Sequence, residues 1–177
     1  MPDYRRNRVP GGTFFFTVNL LDGRSDLLLT QIHALRDAVR QVRLHAPFRI
    51  DAWVVLPDHM HWLWTSPAGD ADFPGRWRAI KAAFSKALPA GEWRSPAMTS
   101  RGERGIWQRR YWEHTIRDDR DFAAHLDYTH FNPVKHGLGK HPADWLHSSF
   151  RQCVARGLYP AGWIGGNAEP LQTGERR

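Results

Sequence analysis

At 177 residues the chain is long enough to fold as one domain that buries about 70% of its unfolded surface. Nine Trp, nine Phe and 41% hydrophobic residues exclude a disordered chain, while a single cysteine, Cys153, excludes an internal disulfide framework and a cysteine-built zinc site. A net charge of +7, carried mainly by arginine, makes nucleic acid the leading partner class, and with no apolar run near the length of a membrane span and no signal peptide the protein is expected in the cytoplasm, off the membrane.

Taken in order, residues 1–12 form a basic arm ending in the turn signal Pro10-Gly11-Gly12. From Thr13 to Leu20 the chain alternates, with Phe14, Phe16, Val18 and Leu20 on one face and Thr13, Thr17 and Asn19 on the other, which predicts a strand half in a core. Leu28, Ile32, Leu35, Val39 and Val42 then recur at helical spacing from Asp26 to His45, before Pro47. Ile50 to Leu56 reads as a second strand, and Pro57-Asp58 separates it from a third that runs to Thr65, the two pairing as an antiparallel hairpin. Trp77, Ile80, Phe84 and Leu88 predict a second helix over 73–88. Residues 89–105, rich in Gly, Pro, Ser and Arg, read as one long flexible loop. The second half of 106–116 suits a fourth strand, and Asp118 or Asp119 caps a third helix expected to stop at Asn132, before Pro133. A short helix near Ser148 to Arg156 and a Gly/Pro-rich tail, 157–177, complete the chain.

The first six elements fit the split βαβ pattern of ferredoxin-like α+β domains, an antiparallel sheet with helices on one face, to which an extra C-terminal helix and an irregular tail are added. The expected division is a single domain over 1–156 and a tail over 157–177.

Within the third strand successive side chains point to opposite faces, so His59 and His61 share one face while Met60, Trp62 and Trp64 share the other. Two imidazoles at that spacing suit two ligands of one divalent ion, although two histidines on a half-exposed strand are only half of a metal site. Tyr128 and Asn132 lie four apart on the last main helix, hence on one face, with His125 one turn before them. A helix crossing the open, polar face of the sheet would bring this face to the histidine pair. His114, His130, His136, His141 and His147 are read as structural or surface residues.

His59-Met60-His61, the run from Tyr128 through Asn132-Pro133-Val134-Lys135 to Leu138, and the Tyr4-Arg5-Arg6 arm, in this order and spacing, resemble the REP-associated tyrosine transposases of bacteria, within the single-tyrosine HUH transposases. The resemblance runs nearly end to end. It implies a nuclease and strand-joining enzyme acting on single-stranded DNA beside hairpins of repetitive extragenic palindromes, where a tetranucleotide is read at the hairpin foot. It further implies Tyr128 as nucleophile, giving a 5′-phosphotyrosine, and His59, His61 and Asn132 as ligands; related enzymes often carry glutamine at the third position, one methylene longer than Asn132.

The chemistry of the residues agrees. Two imidazoles and an amide oxygen with open positions suit Mg²⁺ or Mn²⁺, and such an ion offsets the charge of a phosphodiester. No small-molecule cofactor is expected. Arg5, Arg6, Arg78, Lys81, Arg109, Arg110 and Lys135 are the expected DNA-binding residues, with Trp107 and Trp112 available to stack on bases. A monomer is expected, since no long apolar surface asks for a partner. A histidine-triad nucleotide hydrolase is excluded because Leu63 stands where its third histidine belongs. A hairpin-binding protein of the same fold that no longer cuts is the alternative, and binding compared with covalent capture separates the two.

Overall fold

The computed structural model describes residues 6–166 and 171–175. Four strands, β1 (Thr13–Asn19), β2 (Arg49–Val55), β3 (His59–Thr65) and β4 (Trp112–Thr115), form one antiparallel sheet in the order β2-β3-β1-β4. That order, with helices between β1 and β2 and between β3 and β4, is the ferredoxin-like arrangement the sequence pattern implies.

The alternation in β1 and β3 decides which face is dry. Phe14, Phe16 and Val18 of β1 and Met60, Trp62 and Trp64 of β3 all point to one side, where they pack against Leu28 of α1 (Leu27–Thr30), Leu35 and Val39 of α2 (Ile32–His45), and Trp77, Ile80 and Phe84 of α3 (Phe73–Ala87). Aromatic rings dominate this layer: Trp64 and Trp77 stack with centroids 4.8 Å apart, and Phe48 sits 4.2 Å from Trp64. The single helix expected over 26–45 is two, because the chain bends at Gln31 between α1 and α2.

Residues 89–105 are more ordered than their composition suggests. They include a one-turn helix, α4 (Pro96–Ser100), whose N-cap Ser95 accepts from the Met98 amide. Arg104 fastens the segment to the end of α3 by donating to the carbonyls of Leu88 (3.0 Å) and Pro89 (2.6 Å).

The other face of the sheet is crossed by α5 (Asp119–Lys135), which packs with Phe150 of α6 (Phe150–Ala155) over Phe15, Ala52 and Leu63. Helix α5 runs past Pro133, the point where the sequence suggested it should stop. Proline removes only its own N–H and can be carried in a last turn, and the real stop is Gly137: at φ +69° it allows the Leu138 amide to reach Pro133 O (2.8 Å) and the Gly137 amide to reach Val134 O (3.0 Å). The extra turn carries Lys135 and His136 along the line of Tyr128 and Asn132. Among the described residues no helix is long and apolar enough to cross a membrane.

Candidate active site

Register places the histidines beside β1, with Thr17 opposite His61 and Asn19 opposite His59. Both imidazoles are buried. His59 Nδ1 lies 2.7 Å from Asp58 Oδ1, so Nδ1–H donates to the carboxylate and the opposite nitrogen, Nε2, is left as the acceptor. The Thr17 hydroxyl donates to the carbonyl of Thr173 (2.5 Å), leaving its oxygen to accept from His61 Nδ1 (2.9 Å). This fixes His61 in the same tautomer, with a lone pair on Nε2. Burial lowers the His61 pKa to about 4, so the ring is neutral near pH 7.

Helix α5 supplies the other half of the site. The Tyr128 ring lies 5.3 Å from the His61 ring, and Asn132, one turn later, is fully buried. The sequence-predicted group of His59, His61, Tyr128 and Asn132 therefore comes together. Two of its atoms are buried polar groups with no hydrogen-bond partner, His59 Nε2 and Asn132 Oδ1. Leaving a buried acceptor unmade costs about 1–3 kcal/mol. His59, His61 and the Asn132 side-chain amide all gather at the Glu175 carboxylate of the tail, and two imidazoles with one amide are a donor set that fits a divalent cation.

Tyr128 is a half-buried phenol whose oxygen is 2.9 Å from Lys135 Nζ, and the ammonium also sits 4.8 Å from the centre of its ring. Burial, and after it the hydrogen bond to Glu175, raises the phenol well above its usual value.

Glu175, from the tail, lies in the middle of these groups. Its Oε1 is 2.8 Å from His61 Nε2 and 2.5 Å from Asn132 Nδ2, and it accepts from the Tyr128 hydroxyl. Its Oε2 pairs with Lys135 and lies 3.4 Å from His136 Nε2. Burial opposes its ionisation, but hydrogen bonds from His136 and Lys135 hold the carboxyl far below the usual carboxylate range. Thr173 adds a 2.8 Å contact to the Tyr128 oxygen. Between them, Gly174 at φ +66° lies so close to Trp112 that a Cβ there would come within 2.4 Å of the Trp112 Cβ. The tail, from which composition predicted only a loose end, is inserted into the site.

The remaining basic residues sort into two places. Lys135 belongs to the site itself. Arg6, Arg78, Lys81 and Arg109 line a separate cleft beside Tyr111, together with Arg8 and Trp77. In it the Arg6 guanidinium lies 4.1 Å above the Tyr111 ring, paired with Glu113, and Lys81 is 5.3 Å from the same ring. Burial lowers the Lys81 pKa to about 8. Arg110 is exposed next to this cleft in sequence, and Arg5 falls outside the described residues. Trp107 and Trp112 are not free stacking platforms: Trp107 packs on Phe84 and donates to Ser85 Oγ (3.1 Å), and Trp112 lies under Gly174.

Sequence reading missed Thr17, Asp58, His136, Thr173 and Glu175. Thr17 carried a usable signal, since it lies on the polar face of β1, and Asp58 adjoins the first histidine. The tail residues carried none.

No family model matches the chain. In sequence it is 49% identical over 176 residues to the REP-associated tyrosine transposase of Escherichia coli strain K12, covering 99% of this chain and 98% of that protein. It is 42% identical over 171 residues to a putative REP-associated tyrosine transposase of Haemophilus influenzae, covering 96% of each. In structure it superposes with a TM-score of 0.86 and 48% identity on a REP-associated tyrosine transposase solved bound to a REP hairpin, covering 100% of this chain and 99% of the other.

Proposed function

Because the chain belongs to the REP-associated tyrosine transposases, we propose that it cuts and rejoins single-stranded DNA next to a REP-type hairpin, with Tyr128 as the nucleophile. The observation that carries this reading is the convergence of the Tyr128 hydroxyl, Lys135, His61 and Asn132 on one point, the carboxylate of Glu175.

In the reaction the Tyr128 oxygen forms a bond to phosphorus while the bond from phosphorus to the departing 3′-oxygen breaks. The products are a 5′-phosphotyrosine and a free 3′-hydroxyl, and reversal by an incoming 3′-hydroxyl joins strands without an external energy source. A divalent ion held by His59, His61 and Asn132, Mg²⁺ or Mn²⁺, supplies when bound the polarisation of the phosphate that attack on an anion requires. Asp58 and Thr17 hold the two imidazoles with Nε2 available. Lys135 holds a positive charge at the phenol oxygen, favouring the phenolate, whose unperturbed pKa is about 10. The cleft of Arg6, Arg78, Lys81 and Arg109 is suited to phosphates of the flanking strand, where a short tetranucleotide would be read.

The test is cleavage of a 3′-end-labelled single strand carrying a REP hairpin and its flanking bases, with Mn²⁺ or Mg²⁺. Wild type or Glu175→Ala is expected to leave label on the protein after denaturation. Tyr128→Phe, and either protein with the metal chelated, is expected to bind the hairpin without cutting. If wild type and Glu175→Ala both bind tightly and neither ever cuts, the chain is a hairpin-binding protein that has lost its chemistry.

A further inference from the structure

The end of β4 and the first turns of α5 carry a second group of ligand-type side chains, formed by His114, Asp121 and His125. It uses none of the atoms of the site described above. His114 Nε2 lies 2.8 Å from Asp121 Oδ2, and His125 Nδ1 lies 3.2 Å from Asp121 Oδ1, so two imidazoles address the two oxygens of one carboxylate. The rings are nearly parallel, 14° apart with centroids at 4.5 Å, so both approach the carboxylate from the same side.

A helix start does not call for this. Asp121 already accepts from the Arg117 amide (3.0 Å) and from Arg117 Nε (3.1 Å), which is enough to satisfy its Oδ2 and tie the turn. The histidines add a third and a fourth contact to a group that is itself buried. His125 is only 2% exposed, against the Phe15 ring at 4.8 Å, a poor place for an imidazolium. Burial lowers its pKa, so a neutral ring is the form present near pH 7. Ligand atoms bound to one zinc at about 2.0–2.2 Å stand roughly 3–3.5 Å apart, close to the spacings found here.

We propose that His114, Asp121 and His125 form a second metal site, taking a late first-row divalent ion such as Zn²⁺ and fastening β4 to the start of α5. Two imidazoles and one carboxylate are a donor set that such ions take readily. Binding replaces the hydrogen that His125 Nδ1 shares with the Asp121 carbonyl at 2.8 Å. It also moves the Arg117 guanidinium, 74% exposed, off the carboxylate. His114, 26% exposed, gives the ion its path from solvent. Tyr128 follows His125 by three residues on the same helix, so an ion here stiffens the segment that carries the nucleophile.

The experiment uses the full chain with His59 and His61 both changed to Ala, which removes the first site and makes the result independent of the catalytic reading. After metal stripping it is titrated with Zn²⁺ by calorimetry and with Co²⁺ by visible absorption. One equivalent is expected to bind, with cobalt bands of four- or five-coordination and a rise in Tm of about 5 °C or more at a hundredfold excess over Kd. Adding His114→Gln, at a partly exposed position whose loss leaves the core intact, is expected to abolish that equivalent while the metal-free Tm stays put. Arg117→Ala is expected to tighten binding several-fold by removing the competing cation. Histidine ring NMR of the protein with both catalytic histidines replaced is the second measurement, with Zn²⁺ expected to shift His114 and His125 together. No bound equivalent, an equivalent unaffected by His114→Gln, or zinc shifts confined to other histidines would overturn the proposal.

Discussion

Lys135 was read from sequence as one of several DNA-contacting cations, yet it touches the oxygen of Tyr128. A hydrogen bond to a charged group contributes about 1.5–3 kcal/mol, so Lys135→Met is expected to slow cleavage roughly 10- to 100-fold while hairpin affinity changes only a few-fold. Single-turnover rates beside a binding isotherm check this; equal losses in both would return Lys135 to the role of a phosphate contact. The residues recoverable from sequence were those whose partners lie within a strand or a helical turn. His59 and His61 are visible by alternation and Tyr128 and Asn132 by their four-residue spacing. Lys135 was hidden by a boundary, because a helix stopped at Asn132 leaves it in a loop of unknown direction.

The boundary was wrong because Pro133 was weighed and Gly137 was not. Gly137 has open space where a Cβ would sit, so only its positive φ restricts it. Gly137→Val is therefore expected to cost about 1–2 kcal/mol in stability and to lower cleavage more than binding, since the turn it ends holds Lys135 and His136. Thermal melts paired with cleavage rates test the two parts separately. On the opposite face Arg76 of α3, only 3% exposed, joins two loops by donating to Asp70 (2.7 and 2.8 Å) and to the carbonyls of Ala46 and Pro47. Its hydrogen bonds lower the Asp70 pKa to about 2. A carboxyl held below its unfolded value stabilises the fold above that value, so this contribution is complete above about pH 4 and fades as pH falls towards 2. Asp70→Asn is expected to destabilise by about 1–3 kcal/mol at pH 7 and by much less near pH 2, as measured by urea denaturation. This tie between α3 and two loops left no periodic trace in the sequence.

The whole molecule adds what neither scale contains: a tail that returns over more than a hundred positions to put Glu175 on His61. Local periodicity carries no information about such a contact, which is why the sheet and its helices were legible and the filled site was not. Glu175 accepts from the Tyr128 hydroxyl and, as an anion, opposes the phenolate. Removing it lowers the phenol pKa, so more phenolate exists at any given pH. Glu175→Ala is expected to raise cleavage several-fold near neutral pH and to move the alkaline-rising limb of the rate profile to lower pH. A profile unmoved by the substitution would mean the tail is already withdrawn when DNA is bound.

The central claim is that the Tyr128 oxygen becomes bonded to DNA. The most direct measurement is mass spectrometry of the protein after reaction with the hairpin strand and Mn²⁺, nuclease trimming and proteolysis. A nucleotide-phosphate adduct is expected on the peptide containing Tyr128, localised to that residue by fragmentation and absent from Tyr128→Phe. Cleaved DNA with no adduct on the protein, or an adduct on any other residue, would contradict the claim.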